Sequence, residues 1–218
     1  TNTYDITYTK YGYEQKTITE ALTMGDTLIA NVELTPLPPF NLTINVNDEA
    51  GLPITNAPIR LAHDSVEIAG QTNGLGEASF TLYYEDDYDV SIGKWSYFTL
   101  CEELVIDETT AALNYELGSG YYDDFSFDYG WSSFGTATDG LWERAIPNPT
   151  GEDPSQSINP YPDSDKDCGD YAFVTGNGAT TNDNVSNGSV TLISPVFDLS
   201  SYDDPYIHYE RWFFNFFG

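Results

Sequence analysis

Tyr88-Asp89-Val90-Ser91-Ile92-Gly93-Lys94-Trp95-Ser96-Tyr97 aligns without a gap on Tyr4-Asp5-Ile6-Thr7-Tyr8-Thr9-Lys10-Tyr11-Gly12-Tyr13. Both copies close on Asn-x-Glu-Leu, at Asn114 to Leu117 and at Asn31 to Leu34. Self-similarity of this kind marks a repeated structural unit and governs how the rest of the chain is divided. The copy from Tyr88 to Leu117 has a full set of strand-like segments upstream of it. The N-terminal copy does not, and so reads as the back half of a module whose front half is absent. The first residue is accordingly expected to be an internal point of a longer protein.

Working outward from the repeat, the hydrophobic runs are built from Thr, Val, Ile and Tyr, the residues that fit a pleated, half-buried surface. Tyr4 to Tyr8, Thr17 to Leu22 and Thr27 to Leu34 read as strands, with Met24-Gly25-Asp26 as turn chemistry between the last two. Thr35-Pro36-Leu37-Pro38-Pro39 is a stiff linker, because each Pro fixes φ and withholds a ladder donor. Phe40 to Val46 alternates, Leu42, Ile44 and Val46 sharing one face, so that face expects a core. Ala57 to Leu61, Ser65 to Ala69, Glu77 to Tyr83, Tyr88 to Ile92, Tyr97 to Ile106 and Ala112 to Leu117 read as further strands. Asn73-Gly74-Leu75-Gly76 turns one hairpin, and Asp86-Asp87 turns the chain into Tyr88. About seven short strands at regular spacing is the pattern of an antiparallel β-sandwich. The fold class expected is all-β.

The chain carries 35 acidic against 7 basic residues, a formal charge of -28. Repulsion from such a surface excludes a phosphate backbone as partner, and it suits a solvated extracellular face. The same carboxylates can serve Ca²⁺, a hard cation that prefers oxygen ligands. No stretch reaches the roughly 18 to 20 apolar residues of a membrane span. Cys101 and Cys168 fall in different modules of this reading, so a disulfide between them is an option and not the default.

Asn47-Asp48-Glu49-Ala50-Gly51-Leu52-Pro53-Ile54-Thr55-Asn56-Ala57-Pro58-Ile59, then Thr72-Asn73-Gly74-Leu75-Gly76-Glu77-Ala78, then Tyr88-Asp89-Val90 resembles the carboxypeptidase-regulatory-like, transthyretin-like module. The resemblance covers about 40 to 118 and recurs by halves at 1 to 35. It implies a non-catalytic β-sandwich serving as spacer, stabiliser or stalk.

Gly118-Ser119-Gly120 is a flexible joint, and beyond it long loops rich in Asp, Asn, Gly and Pro separate aromatic segments. Tyr122-Asp123-Asp124-Phe125-Ser126-Phe127-Asp128-Tyr129-Gly130-Trp131, Asp139-Gly140-Leu141-Trp142-Glu143-Arg144, Phe173-Val174-Thr175-Gly176-Asn177, Ser194-Pro195-Val196-Phe197-Asp198-Leu199-Ser200 and Tyr209-Glu210-Arg211-Trp212 together resemble the MAM-like jelly roll, also called choice-of-anchor J. The domain plan is therefore 1–35, the back half of a regulatory-like module; 36–39, a linker; 40–118, a complete module; and 119–218, the N-terminal part of a jelly roll. A jelly roll has about eight strands, and Tyr206 to Phe217 reads as a strand aromatic on both faces that expects cover on both. The C-terminus is expected to be a truncation, or else the missing strands come from another chain.

His63-Asp64-Ser65 contains the letters of a nucleophile triad. Adjacent side chains diverge and cannot form the relay that activates a serine, so the segment reads as a turn. His208 alternates with Tyr206 and Glu210 and reads as a sheet residue. Two distant histidines supply no zinc site of protease type. The run Asp163-Ser164-Asp165-Lys166-Asp167-Cys168-Gly169-Asp170 places Asp163, Asp165 and Asp167 at alternate positions. An EF-hand is excluded there, because Cys168 stands where the loop wants Gly and Val174 where it wants a bidentate Glu; a looser Ca²⁺ site stays open. The MAM-like resemblance implies a different structural Ca²⁺ site, at Asp124, Asp139 and Asp183. Sequons at Asn41, Asn184 and Asn187, and Asp-Ser/Thr-aliphatic patterns at Asp26 and Asp64, are candidate glycan positions.

Nothing in these constellations is catalytic. The expected role is a structural or adhesive segment of a large secreted or cell-surface protein, of the kind that Bacteroidetes-type bacteria export by the type IX system. Its expected partners are other domains of the same longer chain, and protein or glycan at the cell surface. The alternative is a glycan- or protein-binding accessory region of a secreted hydrolase whose catalytic domain lies elsewhere, with Trp131, Trp142 and Tyr161 as stacking platforms.

Overall fold

The computed structural model describes residues 2–25, 27–64, 66–149, 161, 163–164, 166–178 and 185–213. Among them are thirteen strands and no helix, and each sheet pairing whose register is defined is antiparallel. Contacts group the chain into two compact units, Thr1–Val90 with Glu102–Glu116, and Ser91–Cys101 with Leu117–Gly218.

The repeat is present in three dimensions. Strands β1 (Asn2–Tyr8) and β2 (Lys16–Leu22) form a two-stranded sheet in which Ile6 faces Ile18. They fall, residue for residue in the alignment of Tyr4 on Tyr88, on β7 (Asp86–Ile92) and β8 (Leu100–Ile106). Even the connections agree. The Tyr13 amide donates to the Lys10 carbonyl at 3.0 Å, as the Tyr97 amide does to Lys94 at 2.9 Å. Glu14 then donates to Thr35 and Leu37 to Gly12, where the second copy has Phe98 to Gly118 and Gly120 to Ser96.

The first unit is organised by the sandwich. One sheet has the order β6 (Glu77–Leu82), β3 (Phe40–Asp48), β9 (Ala112–Leu117); the other has β5 (Val66–Gln71), β4 (Pro58–His63), β7, β8. Alternation does what the sequence requires. Leu42, Ile44 and Val46 of β3 are fully buried, as are Ile59 and Leu61 of β4, Leu82 of β6 and Tyr88 and Val90 of β7. The Phe80 ring lies so close over Gly70 that a Cβ there would stand 2.8 Å from it, which fixes how β5 meets β6. Thr72 is the buried polar exception, and it is satisfied. Its hydroxyl donates to the Ile54 carbonyl at 2.6 Å and accepts from the Ala57 amide at 2.9 Å, stitching the loop before β4 to the end of β5.

The turn at Asn73 is built as its residues demand. Asn73 Oδ1 accepts the amides of Leu75 and Glu77, and Gly76 sits at φ 75°, where a Cβ would strike the Val46 carbonyl. Three expectations change. Thr27 to Leu34 is not a strand among its described residues: its counterpart β9 pairs with β3, and the N-terminal copy offers no such partner among the described residues. Asp86 and Asp87 belong to β7 and do not form the turn before it. Residues 97–99 precede β8 without extending it, and Tyr97 bridges to Ser119.

The second unit holds shorter sheets. Strands β10 (Ser132–Gly135) and β13 (Val190–Ile193) pair, as do β11 (Trp142–Ala145) and β12 (Ala172–Thr175). Of the expected strand from Tyr206, residues 206–213 are described and carry no strand; they are exposed, Tyr206 at 89% and Phe213 at 77%. A segment apolar on both faces holds an extended ladder only between two covering layers and beside a hydrogen-bonding neighbour, and the described residues pair no strand with it. His208 is correspondingly an exposed loop residue, not a sheet residue.

Candidate cation centre

Tyr122 to Ser126 forms the floor of the candidate site. Asp123 Oδ1 accepts the Phe125 amide at 2.8 Å, and Asp124 Oδ1 accepts the Ser126 amide at 3.0 Å, so two overlapping Asx turns fold the chain back on itself. Phe125 is thereby held at φ 60°. The carbonyls turned outward by this fold are taken by Arg144, whose Nε donates to Phe125 O and Nη2 to Ser126 O, both at 2.6 Å. The guanidinium also lies over the Tyr171 ring, 4.0 Å from its centre. Phe125, Trp131 and Phe173 pack together at centroid separations of 5.2 to 5.8 Å. Trp131 Nε1 donates to Asp123 Oδ2 at 2.7 Å.

This arrangement satisfies Asp123 fully and Asp124 only in part. Asp124 is 2% exposed, and its Oδ2 has no hydrogen-bond partner. A buried carboxylate oxygen without a donor costs several kcal/mol by the general rule for desolvated charge, roughly 3 to 5 when an ion is left unpaired. Around it stand Asp163 and Asp167. The Asp163 carboxyl is pushed above the usual range by burial and then by the charges of Asp170 and Asp124. Asp167 is pushed up to about 6 by burial and by Asp163 and Asp124, and its Oδ1 is likewise buried without a partner. Like charges gathered around desolvated oxygens raise one another's pKa, and a cation between them reverses that cost.

The two candidate sets from the sequence are thus recombined. Asp124 of one set feels Asp163 and Asp167 of the other. Asp139 stands elsewhere, exposed, at a bridge with Ser186, its Oδ2 accepting from Thr138 Oγ1 at 3.1 Å. Asp183 and Asp165 lie outside the described residues. Among the described residues no three Asp, Glu, His or Cys side chains already close on one point as a coordination shell. The donor set suits a hard cation that completes its shell with carbonyl and water oxygens, as Ca²⁺ does. Sequence reasoning does not find the proximity of Asp124 to the loop 163–170, since nothing in the spacing joins residues so far apart.

A covalent bond holds that loop in place and corrects a further expectation. Cys101 and Cys168 are joined in a disulfide, with Cα atoms 6.2 Å apart. They belong to one unit, because Ser91–Cys101 packs with the second unit and not with the sandwich strands that flank it. The next residue, Gly169, is pressed against Ser126 Oγ and the Asp124 carbonyl, where a Cβ would not fit beside the hydroxyl. From the other side Thr99 Oγ1 donates to the Tyr122 carbonyl at 3.3 Å. Residues 99–101 therefore hold both walls of the site.

The remaining sequence candidates are engaged in packing and turns or lie at the surface. His63 Nδ1 meets the Asp87 carbonyl at 3.2 Å and the ring packs on Tyr84 and Tyr88; Asp64 has φ 49° in a turn. Ser65 lies outside the described residues. A second aromatic cluster joins Trp95 to Tyr121, Tyr129 and Phe197, and Trp95 Nε1 donates to the Val196 carbonyl at 2.8 Å. Trp142 is half-buried in β11, and Tyr161 is exposed.

No family model matches the chain, and no curated protein matches it. Among solved structures it is similar to a Bacillus anthracis TIE protein, at 21% identity over 50% of this chain and a TM-score of 0.32. It is also similar to a streptococcal ancillary pilin, at 10% identity over 87% of this chain, again with a TM-score of 0.32. The chain spans 22% and 62% of the lengths of those two proteins.

Proposed function

We propose that this chain is a non-catalytic structural or adhesive segment of a large secreted or cell-surface bacterial protein, regulatory-like sandwich modules in series carrying a MAM-like jelly roll. The observation that carries the reading is the repeated joint. Gly12 and Ser96, with the three hydrogen bonds that surround each, reproduce one connection twice. A chain that repeats its connections as faithfully as its strands serves to set length and spacing. The disulfide adds support, since such bonds persist in oxidising compartments outside the cell. The His63–Asp64 turn is directed into Tyr rings and a backbone carbonyl, which favours a packing role.

In this reading the second unit takes a structural Ca²⁺ beside Asp124, with Asp163 and Asp167 as further carboxylates. Bound there, the ion would supply positive charge to orphaned oxygens and tie a loop that has few apolar side chains of its own. Metal binding energy then becomes folding energy.

Thermal melting in Ca²⁺ and in chelator tests the cation: a midpoint that rises with Ca²⁺ and loses that rise in Asp124→Asn is expected, and an unchanged midpoint removes it. A glycan array and a pull-down from cell-surface extract test the role. Retention of a defined glycan would move the assignment to the accessory-binding alternative, whereas retention only by other domains of its own protein, or no retention at all, fits the spacer.

A further inference from the structure

We propose that the Cys101–Cys168 disulfide is a redox latch on the cation centre: the oxidised chain holds the Asp163–Asp170 loop against Asp124 and binds a divalent cation, and the reduced chain releases both. The inference rests on the proposed cation site and adds its control. Three observations carry it. Cys168 lies directly between Asp167, one proposed ligand, and Gly169, the residue pressed on Ser126 and the Asp124 carbonyl. The loop 163–170 contains no strand among its described residues, and its ties from Lys166 Nζ and Ser164 Oγ to Glu210 lie at exposed positions. The carboxylates it gathers repel one another, so the covalent bond opposes a force that would otherwise open the loop.

The chemistry is self-contained. The sequence holds two cysteines in all, so no third thiol can reshuffle the pair. Cys168 is exposed, which gives an attacking thiolate access to its sulfur. A dithiol reductant delivers two electrons and two protons: its first thiolate forms a mixed disulfide and expels one cysteine thiolate. Its second thiolate displaces the other cysteine, leaving two cysteine thiols and the reductant as a cyclic disulfide. Oxidation by a disulfide of the same class restores the bond.

The test uses the full chain. Ca²⁺ affinity is measured calorimetrically on the oxidised chain, on the chain reduced with a dithiol that does not bind metal, and on the Cys101→Ser/Cys168→Ser double variant. Amide exchange of the β10–β13 and β11–β12 pairs is followed in parallel as a measure of fold. The expected result is at least a tenfold weaker affinity in the reduced chain and the double variant, with strand protection retained and affinity recovered on reoxidation. Equal affinities in the two redox states overturn the latch while leaving the cation site standing. Loss of strand protection together with affinity also overturns it, because the disulfide would then be a general staple. Absence of binding in the oxidised chain overturns the site itself, and the latch with it.

Discussion

Gly12 and Ser96 occupy matching places in the two copies of the repeat and share one backbone angle, φ 81°. At this angle an L side chain costs about 1 kcal/mol and glycine costs nothing comparable. The pair therefore makes a reciprocal prediction. Ser96→Gly is expected to stabilise the chain by roughly 0.5 to 1 kcal/mol, less the extra freedom glycine gives the unfolded state. Gly12→Ser is expected to destabilise by about 1 kcal/mol, and urea unfolding of both variants measures the two shifts.

Thr72 is a buried hydroxyl of the sandwich with two backbone partners. Thr72→Val keeps the shape and removes both bonds, leaving the Ala57 amide and Ile54 carbonyl unsatisfied. A loss of about 2 to 4 kcal/mol is expected from two such groups. Thr72→Ser, which keeps the hydroxyl, should lose under about 1.5 kcal/mol; equal losses in both variants would show that the methyl, not the hydrogen bonds, matters.

Gly70 is required by Phe80 and not by its own backbone angle. Gly70→Val places a branched side chain where the ring lies, and Phe80 has no solvent to retreat into. Overpacking of this kind costs about 1 to 3 kcal/mol. Gly70→Val combined with Phe80→Leu should recover part of it, and a double-mutant cycle by chemical denaturation reads the coupling.

Asp163 and Asp167 set the pH response of the cation-free chain. Their folded pKa values are raised, Asp167 to about 6, above the unfolded carboxylate value of about 3.9. The folded state therefore binds more protons than the unfolded state between those limits, and stability falls as pH rises through the window. In chelator the melting midpoint should accordingly drop between about pH 4 and about pH 6. Saturating Ca²⁺ should flatten or invert the trend, since a bound cation favours the charged carboxylates; curves that superimpose with and without the ion would exclude it from these residues.

Strands are legible in the sequence wherever one face is buried. Leu42, Ile44 and Val46 announce β3 by alternation alone, and the repeat locates β1 and β2 from β7 and β8 to the residue. The Thr27 to Leu34 segment has the same composition as a strand, but pairing is a property of a neighbour, and propensity cannot supply one. Tyr206 to Phe213 misleads for the same reason. The candidate site is half legible: its carboxylates stand out, but in two separate sets. Only the folding of Tyr122 to Ser126 into Asx turns, and the disulfide that brings loop 163–170 beside it, decides which of them share a field. Cys101 reads by sequence with its strand, whereas the segment from Ser91 packs with the residues beyond Glu116.

The matched bridges, Tyr13 to Pro36 and Tyr97 to Ser119, bear on how such a chain can change in length. Because the backbone enters and leaves each bridge in the same phase, Gly12 could be followed directly by Tyr97 and meet the hydrogen bonds that Ser96 now meets. The two positions are equivalent splice points. Excision between them, or reinsertion of the same span, leaves the reading frame of donors and acceptors intact, so recombination at this site can lengthen or shorten the protein by whole modules without creating a junction it has not already solved.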